Sequence, residues 1–457
     1  MQIISLSFFI GYNSYGKDFS LKEFLEQVRD SNPSIKSAAR RAEALSHRVK
    51  PASTIDDPFI AVGVDQIPFD GSMGSATRYQ VSQSIPFPGK LSARGDIAES
   101  KAKSARSDSE TTEREVIVLA TQAFFRTFYN QNAIELNEKQ KILIEGTVES
   151  TKSRYKTGDT GHHDWLLAKV EISVLKVERL RLEREQKKLF AVLNELRDKP
   201  TDAVFGNLVV KFSESKNDDV SPTKDQPEMK SLEYAVTQSE KEKKLAKLSY
   251  LPDFTIQGMA MKPSSDMMNE KDNWGVMVGI NVPLYFWRKQ SENVSASTLD
   301  SEAIVLEKKN LENRLNTEMV DAKQALQTTK DIVDLYRSSV IPTTNLALQN
   351  AKTGYAARKL PLTQFLETLK VQKTQELEFL AAQLDVELAR TRITNLLSAP
   401  PVLRLAPSKP SLFGAGAMGG SMTSDTVNMG GGMSGPTRKT KAAEPTQMPS
   451  GAGMGNM

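Results

Sequence analysis

Side chains that could bind a metal ion occur at two places in the sequence. The first is a polar turn, where His162 and His163 precede Asp164. The second is a short segment that holds four methionines: Met259, Met261, Met267 and Met268. Imidazole suits Zn, Cu and Ni, whereas thioethers suit softer ions such as Cu(I) and Ag(I). Adjacent histidines also occur on polar surfaces, and methionine also fills gaps in apolar packing, so both interpretations stay open at both places.

The composition argues against enzymatic chemistry. The chain contains no cysteine, so it offers no disulfide, no Cys-based zinc site and no thiol nucleophile. It has three histidines and no nucleotide-binding glycine loop, nucleophile elbow or zinc-protease motif. Its 60 basic residues nearly balance its 56 acidic ones, which indicates no nucleic-acid surface. We therefore expect neither an enzyme nor a bound cofactor.

Two long stretches of the sequence align with each other without gaps. Residues 155–200 lie over residues 355–400, with these matches among others: Tyr155 with Tyr355, Trp165 with Phe365, Leu180 with Leu380, and Pro200 with Pro400. Apolar residues recur at helical spacing along both stretches and along residues 96–145, which contain no glycine or proline. The pattern predicts a duplicated unit with two antiparallel, coiled-coil-like helical hairpins. Their tips are expected near residues 157–163 and 357–361.

Four other segments alternate between apolar and polar residues. Residues 58–69 and 76–87 form one pair, and residues 252–263 and 273–284 form a second. A period of two around a turn-rich or polar loop predicts a β-hairpin in each pair. Each strand has about ten residues, the length that a tilted strand needs to cross a bilayer. An ordinary soluble four-stranded sheet is the alternative.

Each predicted β-hairpin ends at a proline-containing junction with the next helix. Pro86 and Pro88 cannot donate ladder hydrogen bonds, and Gly89 allows the backbone to turn in a new direction. Pro283 ends the second hairpin in the same way. Four aromatic residues lie at these junctions, where the interfacial belt of a membrane protein would lie: Phe87, Tyr285, Phe286 and Trp287.

Four membrane-length strands cannot close a barrel, and an open edge would leave backbone groups unpaired in lipid. Two copies would give about eight strands, with an interior filled by side chains, whereas three would give about twelve and leave a passage. The predicted fold class is mainly α with transmembrane β. Long helical hairpins form an α-barrel, and four β-strands per chain complete a 12-stranded β-barrel in a homotrimer. The competing interpretations are a periplasmic adaptor and a structural coiled-coil protein without a pore.

The amino-acid composition of the two ends of the chain predicts the first and the last segments. The first residues hold a short apolar run that suits a signal peptide, although no Lys or Arg precedes it, and the Gly- and Met-rich C-terminal residues predict disorder. The predicted segments are a signal peptide (1–16), an N-terminal helix (17–57), a β-hairpin (58–87), a helical hairpin (88–200), a linker (201–227), a helix (228–251), a second β-hairpin (252–284), a second helical hairpin (285–400) and a tail (401–457).

The strands and junctions resemble the TolC-like outer-membrane efflux family, and more closely its heavy-metal branch, the CusC- and CzcC-like channels. The resemblance rests on "DDPFIAVGVDQIPF", "QVSQSIPFPGKLSARGDIAES", "SYLPDFTIQGMAM" and "GVMVGINVPLYFWRKQ" and covers residues 19–399. It implies a trimeric, passive export duct in the outer membrane of a Gram-negative bacterium, with a periplasmic helical domain. The partners that it implies are a periplasmic adaptor and an inner-membrane pump of the RND type. Heavy-metal ions, including Cu(I) and Ag(I), or drugs are the expected substrates.

The resemblance also implies a gate at the tips of the helical hairpins. In this family the periplasmic end is closed by inward-turned helices, and acidic residues of the second tip line the constriction. The matching positions are Gln364 and Glu367, with Asp164 at the equivalent place in the first tip. Gln364 departs from the acidic pattern. A ring of Glu367 carboxylates would favour cations, and a solvated helix face is the alternative.

Overall fold

The computed structural model describes these residues: 18–65, 76–203, 205–212, 226–263 and 271–395. The predicted signal peptide (1–16) and the predicted tail (401–457) lie outside the described residues, as do Met267 and Met268. Within the described ranges, none of the helices combines the length and the apolar character that a membrane span requires.

Long helices make up most of the described chain. They are α1 (Leu21–Ser31), α2 (Pro33–His47), α3 (Val49–Ala52), α4 (Lys90–Lys156), α5 (His162–Leu196), α6 (Pro227–Leu248), α7 (Lys289–Leu335), α8 (Ile341–Ala356) and α9 (Leu362–Asn395). The longest, α4, has 67 residues, which corresponds to about 100 Å at the helical rise of 1.5 Å per residue. The first helical hairpin consists of α4 and α5, and the second consists of α7, α8 and α9.

The N-terminal region, predicted as one helix over residues 17–57, contains three helices. Ser20 and Glu23 form a capping box at the start of α1, with a distance of 3.3 Å from the Glu23 amide nitrogen to Ser20 Oγ. Asn32 ends α1 and caps α2 through its side-chain oxygen, 2.9 Å from the Ser34 amide nitrogen. Pro33 then occupies the first position of α2, where its missing N–H costs nothing.

A π-helical turn, Tyr336–Val340, separates α7 from α8. Pro342 follows it in the first turn of α8. A proline in a continuous α-helix would clash with the carbonyl four residues earlier, here that of Ser338, and would leave it without its usual donor. The wider π turn accommodates the proline without a break between the two helices.

The four predicted strands form one antiparallel sheet. They are β2 (Phe59–Asp65), β3 (Ala76–Ile85), β5 (Asp253–Pro263) and β6 (Asn273–Asn281), in the spatial order β2-β3-β5-β6. Strand β3 pairs with β5 over its whole length and so joins the two hairpins, with Ile85 opposite Phe254 and Ala76 opposite Pro263. Two short strands, β1 (Phe19–Ser20) and β4 (Leu208–Val209), pair in parallel elsewhere.

The helices pack around three groups of buried apolar side chains. The first joins α1, α4, α5 and α9 near the N-terminal strand and is centred on Phe24, Phe124 and Leu193. The second joins α6, α7 and α9, and the third lies at the hairpin tips, where Ile144, Ala168 and Phe365 are buried together. Helix α4 contacts α2, α5, α6 and α9, so it connects most of the other helices.

Candidate functional site

One face of the four-stranded sheet is apolar and exposed. The strand register places these residues on it: Ile60, Val62 and Val64 on β2; Tyr79, Val81 and Ile85 on β3; Phe254 and Ile256 on β5; and Trp274, Val276, Val278 and Ile280 on β6. Trp274 is 81% exposed and Val278 66%. The polar members of this face, Thr77, Gln83 and Lys262, lie near the strand ends. A soluble sheet would bury such a face, so the middle of this one is suited to lipid.

The opposite face of the sheet is mainly polar or small. It carries these residues: Phe59, Ala61 and Gly63 on β2; Arg78, Gln80, Ser82 and Ser84 on β3; Thr255, Gln257, Met259 and Met261 on β5; and Asn273, Gly275, Met277, Gly279 and Asn281 on β6. Met259 lies opposite Gly275, and Met277 lies opposite Gln257, so the two methionines are diagonal neighbours. Of the methionines predicted as metal ligands, Met259 and Met261 therefore share the polar face.

The two outer strands of the sheet each pair on one side only within the described chain. These strands are β2 and β6. Because all neighbours in the sheet are antiparallel, the first and last strands run in opposite directions. Strand β6 of one copy can therefore pair antiparallel with β2 of another, and the same contact can be repeated around a ring.

A buried lysine and one carboxylate join the first junction to the start of β5. Asp253 Oδ1 lies 2.8 Å from both the Phe87 amide nitrogen and Lys90 Nζ. Lys90 Nζ also donates to the carbonyl oxygen of Leu251 at 2.8 Å. Pro86 is buried and Pro88 exposed. Gly89 has a φ of 96° and precedes α4, a left-handed conformation that a side chain would strain.

The second junction exposes its aromatic side chains. Val282 and Pro283 follow β6, and a turn over residues 284–288 leads to α7. The Tyr285 carbonyl oxygen accepts hydrogen bonds from the amides of Arg288 and Lys289 at 3.1 and 3.0 Å. Tyr285 is 69% exposed and Trp287 59%, whereas Phe87 of the first junction is half-buried and stacks on Phe254.

The tips of the two helical hairpins are held together by polar contacts. Arg154 of α4 donates to the carbonyl oxygens of Tyr355 and Ala356 at the end of α8, both at 3.2 Å. Its guanidinium also lies 5.0 Å from the centroid of the Tyr355 ring. An ion pair between Arg358 and Asp159, with a distance of 2.9 Å, links the two turns.

The two tip turns have the same backbone geometry. Gly158 has a φ of 77°, and Arg358, which aligns with it in the repeat, has a φ of 62°. In both turns the next amide donates to a carbonyl five residues earlier: Asp159 to Arg154, and Lys359 to Gly354, each at 2.8 Å. This is the Schellman pattern, in which a left-handed residue ends a helix. The duplication seen in the sequence therefore extends to the turns.

Two of the predicted gate residues, Asp164 and Gln364, lie in the first turns of α5 and α9, and Glu367 lies in the second turn of α9. Gln364 and Glu367 are exposed, and Asp164 is half-buried. Their neighbours Phe365 and Leu366 are buried between the hairpins, so the two polar side chains point away from the packed side of α9. His162 lies against the rings of Tyr155 and Trp165, with centroid distances of 5.0 and 5.3 Å.

No group of three or more His, Asp and Glu side chains that could hold a metal ion occurs among the described residues. Asp164 and His163 thus join no such group. The remaining sulfur donors that the structure describes on the sheet are Met259, Met261 and Met277.

The interior of the hairpins contains buried polar residues that sequence reasoning missed. Lys373 Nζ lies 2.6 Å from Glu178 Oε2, which also accepts a hydrogen bond from Asn137 at 3.0 Å. Burial raises the pKa of Glu376 above its usual value of 4.5. Burial and the hydrogen bond to Glu378 raise the pKa of Tyr336 to about 12. These residues occur at helical positions where apolar spacing gives no signal for them.

No family model matches the sequence. The outer membrane protein TolC of Vibrio cholerae serotype O1 (strain ATCC 39315 / El Tor Inaba N16961) is 23% identical over 416 residues, which cover 78% of this chain and 92% of the relative.

Solved structures share the fold at low sequence identity. CusC, described in connection with transmembrane channel formation, has a TM-score of 0.73 at 12% identity and covers 87% of this chain and 96% of its own. The open state of the outer membrane channel MtrE of Neisseria gonorrhoeae has a TM-score of 0.70 at 15% identity and covers 83% and 89%. The predicted fold class, long helical hairpins with a β-barrel contribution, is confirmed.

TolC, CusC and MtrE are channel proteins and not enzymes, and this chain shares with the two solved channels the fold of long helical hairpins and a four-stranded sheet. The relatives confirm the resemblance to the TolC-like outer-membrane efflux family and the predicted localisation in the outer membrane.

Proposed function

We propose that the chain is the outer-membrane subunit of a tripartite efflux system, a passive trimeric duct from the periplasm to the exterior. The observation that carries this proposal is the sheet. It combines an exposed apolar face, a polar face and two outer strands that each pair on one side only. A sheet of this kind is stable in lipid only when further copies complete it.

Three copies are the stoichiometry that suits a duct. Four strands from each copy give a barrel of about twelve strands, wide enough to leave a passage, whereas two copies give a barrel of about eight that side chains fill. The helices support the same assembly. Along one side of α5 an exposed apolar stripe is available to a neighbouring copy: Leu166, Val170, Val174, Val177 and Leu180.

The energy for transport comes from partners. The sequence contains no nucleotide-binding motif, so the duct itself is passive. The resemblance to the TolC-like family supports a periplasmic adaptor and an inner-membrane pump of the RND type as these partners. The paired hairpin tips are the end of the chain that they would contact.

The substrate class is proposed from the resemblance and from the polar face of the sheet. Thioether groups of Met259, Met261 and Met277 share this face, and thioethers suit Cu(I) and Ag(I). Heavy-metal ions are therefore the proposed cargo, with drugs as the alternative. A metal cargo would meet these side chains on its way through the barrel.

The proposed gate consists of the tip residues Asp164, Gln364 and Glu367. In a trimer, three copies of Glu367 would surround one axis, and their carboxylates would attract cations and repel anions. The exposure of Gln364 and Glu367 on the unpacked side of α9 supports this placement. The contacts of Arg154 with α8 would hold the second tip in position.

Fractionation combined with heat-modifiability tests the proposed function. The full chain is expected in the outer-membrane fraction, as a species of about three times the monomer mass that dissociates on heating in detergent. The purified species should conduct ions across a planar bilayer. A monomer in the soluble fraction, or a trimer without conductance, would disprove the duct and favour a structural coiled-coil protein.

A further inference from the structure

An apolar groove lies where the sheet meets the helices. It has a volume of about 510 Å³. Tyr250 and Pro252, just before β5, form one side, and Val282, Pro283, Phe286 and Trp287, just after β6, form the other. The groove is thus built from the two strand ends of the second β-hairpin.

The groove continues the exposed apolar face of the sheet. Phe254 and Ile280 face each other as the last pair of that face at this end, and the groove residues follow directly on both strands. Leu284, which also lines the groove, is 67% exposed. An apolar surface that extends past the last strand pair would reach beyond the part of the sheet suited to lipid tails, toward the headgroups.

Two exposed cations lie next to the groove. Arg288 and Lys289 follow Trp287 directly, and their amide nitrogens donate to the Tyr285 carbonyl oxygen, which keeps the turn compact. Both side chains are exposed, and within the described part of the chain neither forms an ion pair. Their long stems allow the charged groups to reach a neighbouring phosphate while apolar groups stay in the groove.

We propose that this groove binds an anionic phospholipid. The acyl chain lies against Pro283, Phe286 and Trp287, and the headgroup phosphate binds Arg288 and Lys289. An apolar groove with two adjacent cations matches an amphiphile with a negative headgroup, because each basic residue at a membrane surface attracts anionic lipid. The inference rests on the proposed function, since it requires the sheet to lie in a bilayer.

Tryptophan fluorescence separates the lipid site from the proposed membrane sheet, since Trp274 lies at the start of β6 and Trp287 lies in the turn after its other end. Two reporters of the full chain retain either Trp287 (W165F/W274F) or Trp274 (W165F/W287F). Trp165→Phe is conservative, because Phe365 occupies the matching position of the repeat. Each reporter is reconstituted into phosphatidylcholine vesicles that contain phosphatidylglycerol, with bromine on the acyl chains of one lipid at a time. Bromine quenches tryptophan on contact.

The headgroup preference is the decisive result. Brominated phosphatidylglycerol should quench Trp287 at least about threefold more per mole than brominated phosphatidylcholine, given the attraction of two basic residues for anionic lipid. Trp274 is remote from Arg288 and Lys289 and lies near Lys262 of the same face, so its quenching by either lipid should be unchanged by R288Q/K289Q. In R288Q/K289Q the preference at Trp287 should disappear, and it should persist in K309Q/K359Q, which removes the same charge from exposed positions elsewhere.

Each other outcome is informative. Equal quenching of Trp287 by both lipids, or a preference that R288Q/K289Q retains, would overturn the lipid site. Quenching of Trp274 without quenching of Trp287 would also overturn it and would show that a second copy covers the groove, while the membrane sheet stands. Absence of quenching at both tryptophans would contradict the proposed function itself.

Discussion

At the scale of single residues, the proposed gate predicts that charge at the hairpin tips sets which ions the proposed duct admits. Glu367 is exposed in the second turn of α9, and Gln364 is exposed in the first turn. Three symmetry-related copies of each would lie around the axis. A change of charge at one position is therefore multiplied by three in the trimer, which makes ion selectivity a sensitive measure of these residues.

Glu367→Lys should lower the preference of the channel for cations, because it replaces three carboxylates with three ammonium groups. Gln364→Glu should have the opposite effect, since it adds three carboxylates. Reversal potentials of single channels in planar bilayers under a KCl gradient measure both. If neither variant shifts the reversal potential, the two residues do not line the pore.

Glu376 predicts a pH dependence of stability. Burial raises its pKa in the folded state above the usual 4.5, so the folded state binds the proton more tightly than the unfolded state. Protonation of Glu376 therefore stabilises the folded state fully when the pH is below the usual pKa of the side chain. This stabilisation is lost as the pH rises through the raised pKa of the folded state. Glu376→Gln should therefore increase the melting temperature more at pH 8 than at pH 4. An equal effect at both pH values would contradict this assignment.

At the scale of elements, contacts between helix ends and strand ends link the repeated halves. Arg154 of the first helical hairpin caps carbonyl groups of the second. Asp253 of the second β-hairpin binds the backbone and Lys90 of the first junction. Each link joins residues that are far apart in the sequence. Its loss should therefore destabilise only the tip or the junction where it lies and leave the helices intact.

Arg154→Gln should weaken the tip. It removes two hydrogen bonds to α8 and the contact with the Tyr355 ring, which together are worth about 1–3 kcal/mol. Hydrogen exchange of the amides in residues 353–360 should become faster. Arg181→Gln is a suitable control, because Arg181 is an exposed arginine of α5. Unchanged exchange in Arg154→Gln would show that the tips are held by apolar packing alone.

Asp253→Asn should destabilise the junction. The substitution keeps the size of the side chain but leaves the buried Lys90 ammonium without its counter-ion, at a cost of about 3 kcal/mol or more. The melting temperature of the detergent-solubilised protein should fall. Asp272→Asn, at an exposed position before β6, should leave it unchanged. Equal melting temperatures for both variants would contradict a stabilising role of the Asp253–Lys90 pair.

At the scale of the whole molecule, the sheet relates membrane insertion to assembly. In the proposed duct its exposed apolar face lies against lipid, and its two outer strands pair with neighbouring copies. Both conditions hold together only in a closed barrel. We therefore expect the polar face to tolerate a charged substitution and the apolar face not to tolerate one.

Val278→Lys should prevent assembly in the membrane. Val278 lies in the middle of β6 on the apolar face, where a lysine near the centre of the bilayer costs about 2–4 kcal/mol per copy. Met277→Lys is the matched control, since Met277 is the next residue and lies on the polar face. The yield of heat-modifiable trimer in the outer-membrane fraction measures both. Equal yields would contradict the assignment of the two faces.

Local patterns in the sequence predict several features of the fold. Proline and glycine at the junctions lie where β3 and β6 end, and the gapless repeat reappears in the turns at Gly158 and Arg358. The break at Asn32, the π-helical turn before Pro342 and the strand pair β1–β4 were missed. The first depends on a side-chain cap, the second on one steric clash and the third on a partner that is distant in the sequence. The spacing of apolar residues reveals none of these.

The sequence by itself determined the helical hairpins, the four strands and the resemblance to the TolC-like family. These follow from local periodicity and from turn residues, which act over a few neighbouring positions. Only the tertiary structure decided that β3 pairs with β5, that Arg154 meets α8 and that Met259 and Met277 share the polar face. These contacts join residues more than ten positions apart. Their register depends on how whole elements pack, which no local pattern specifies.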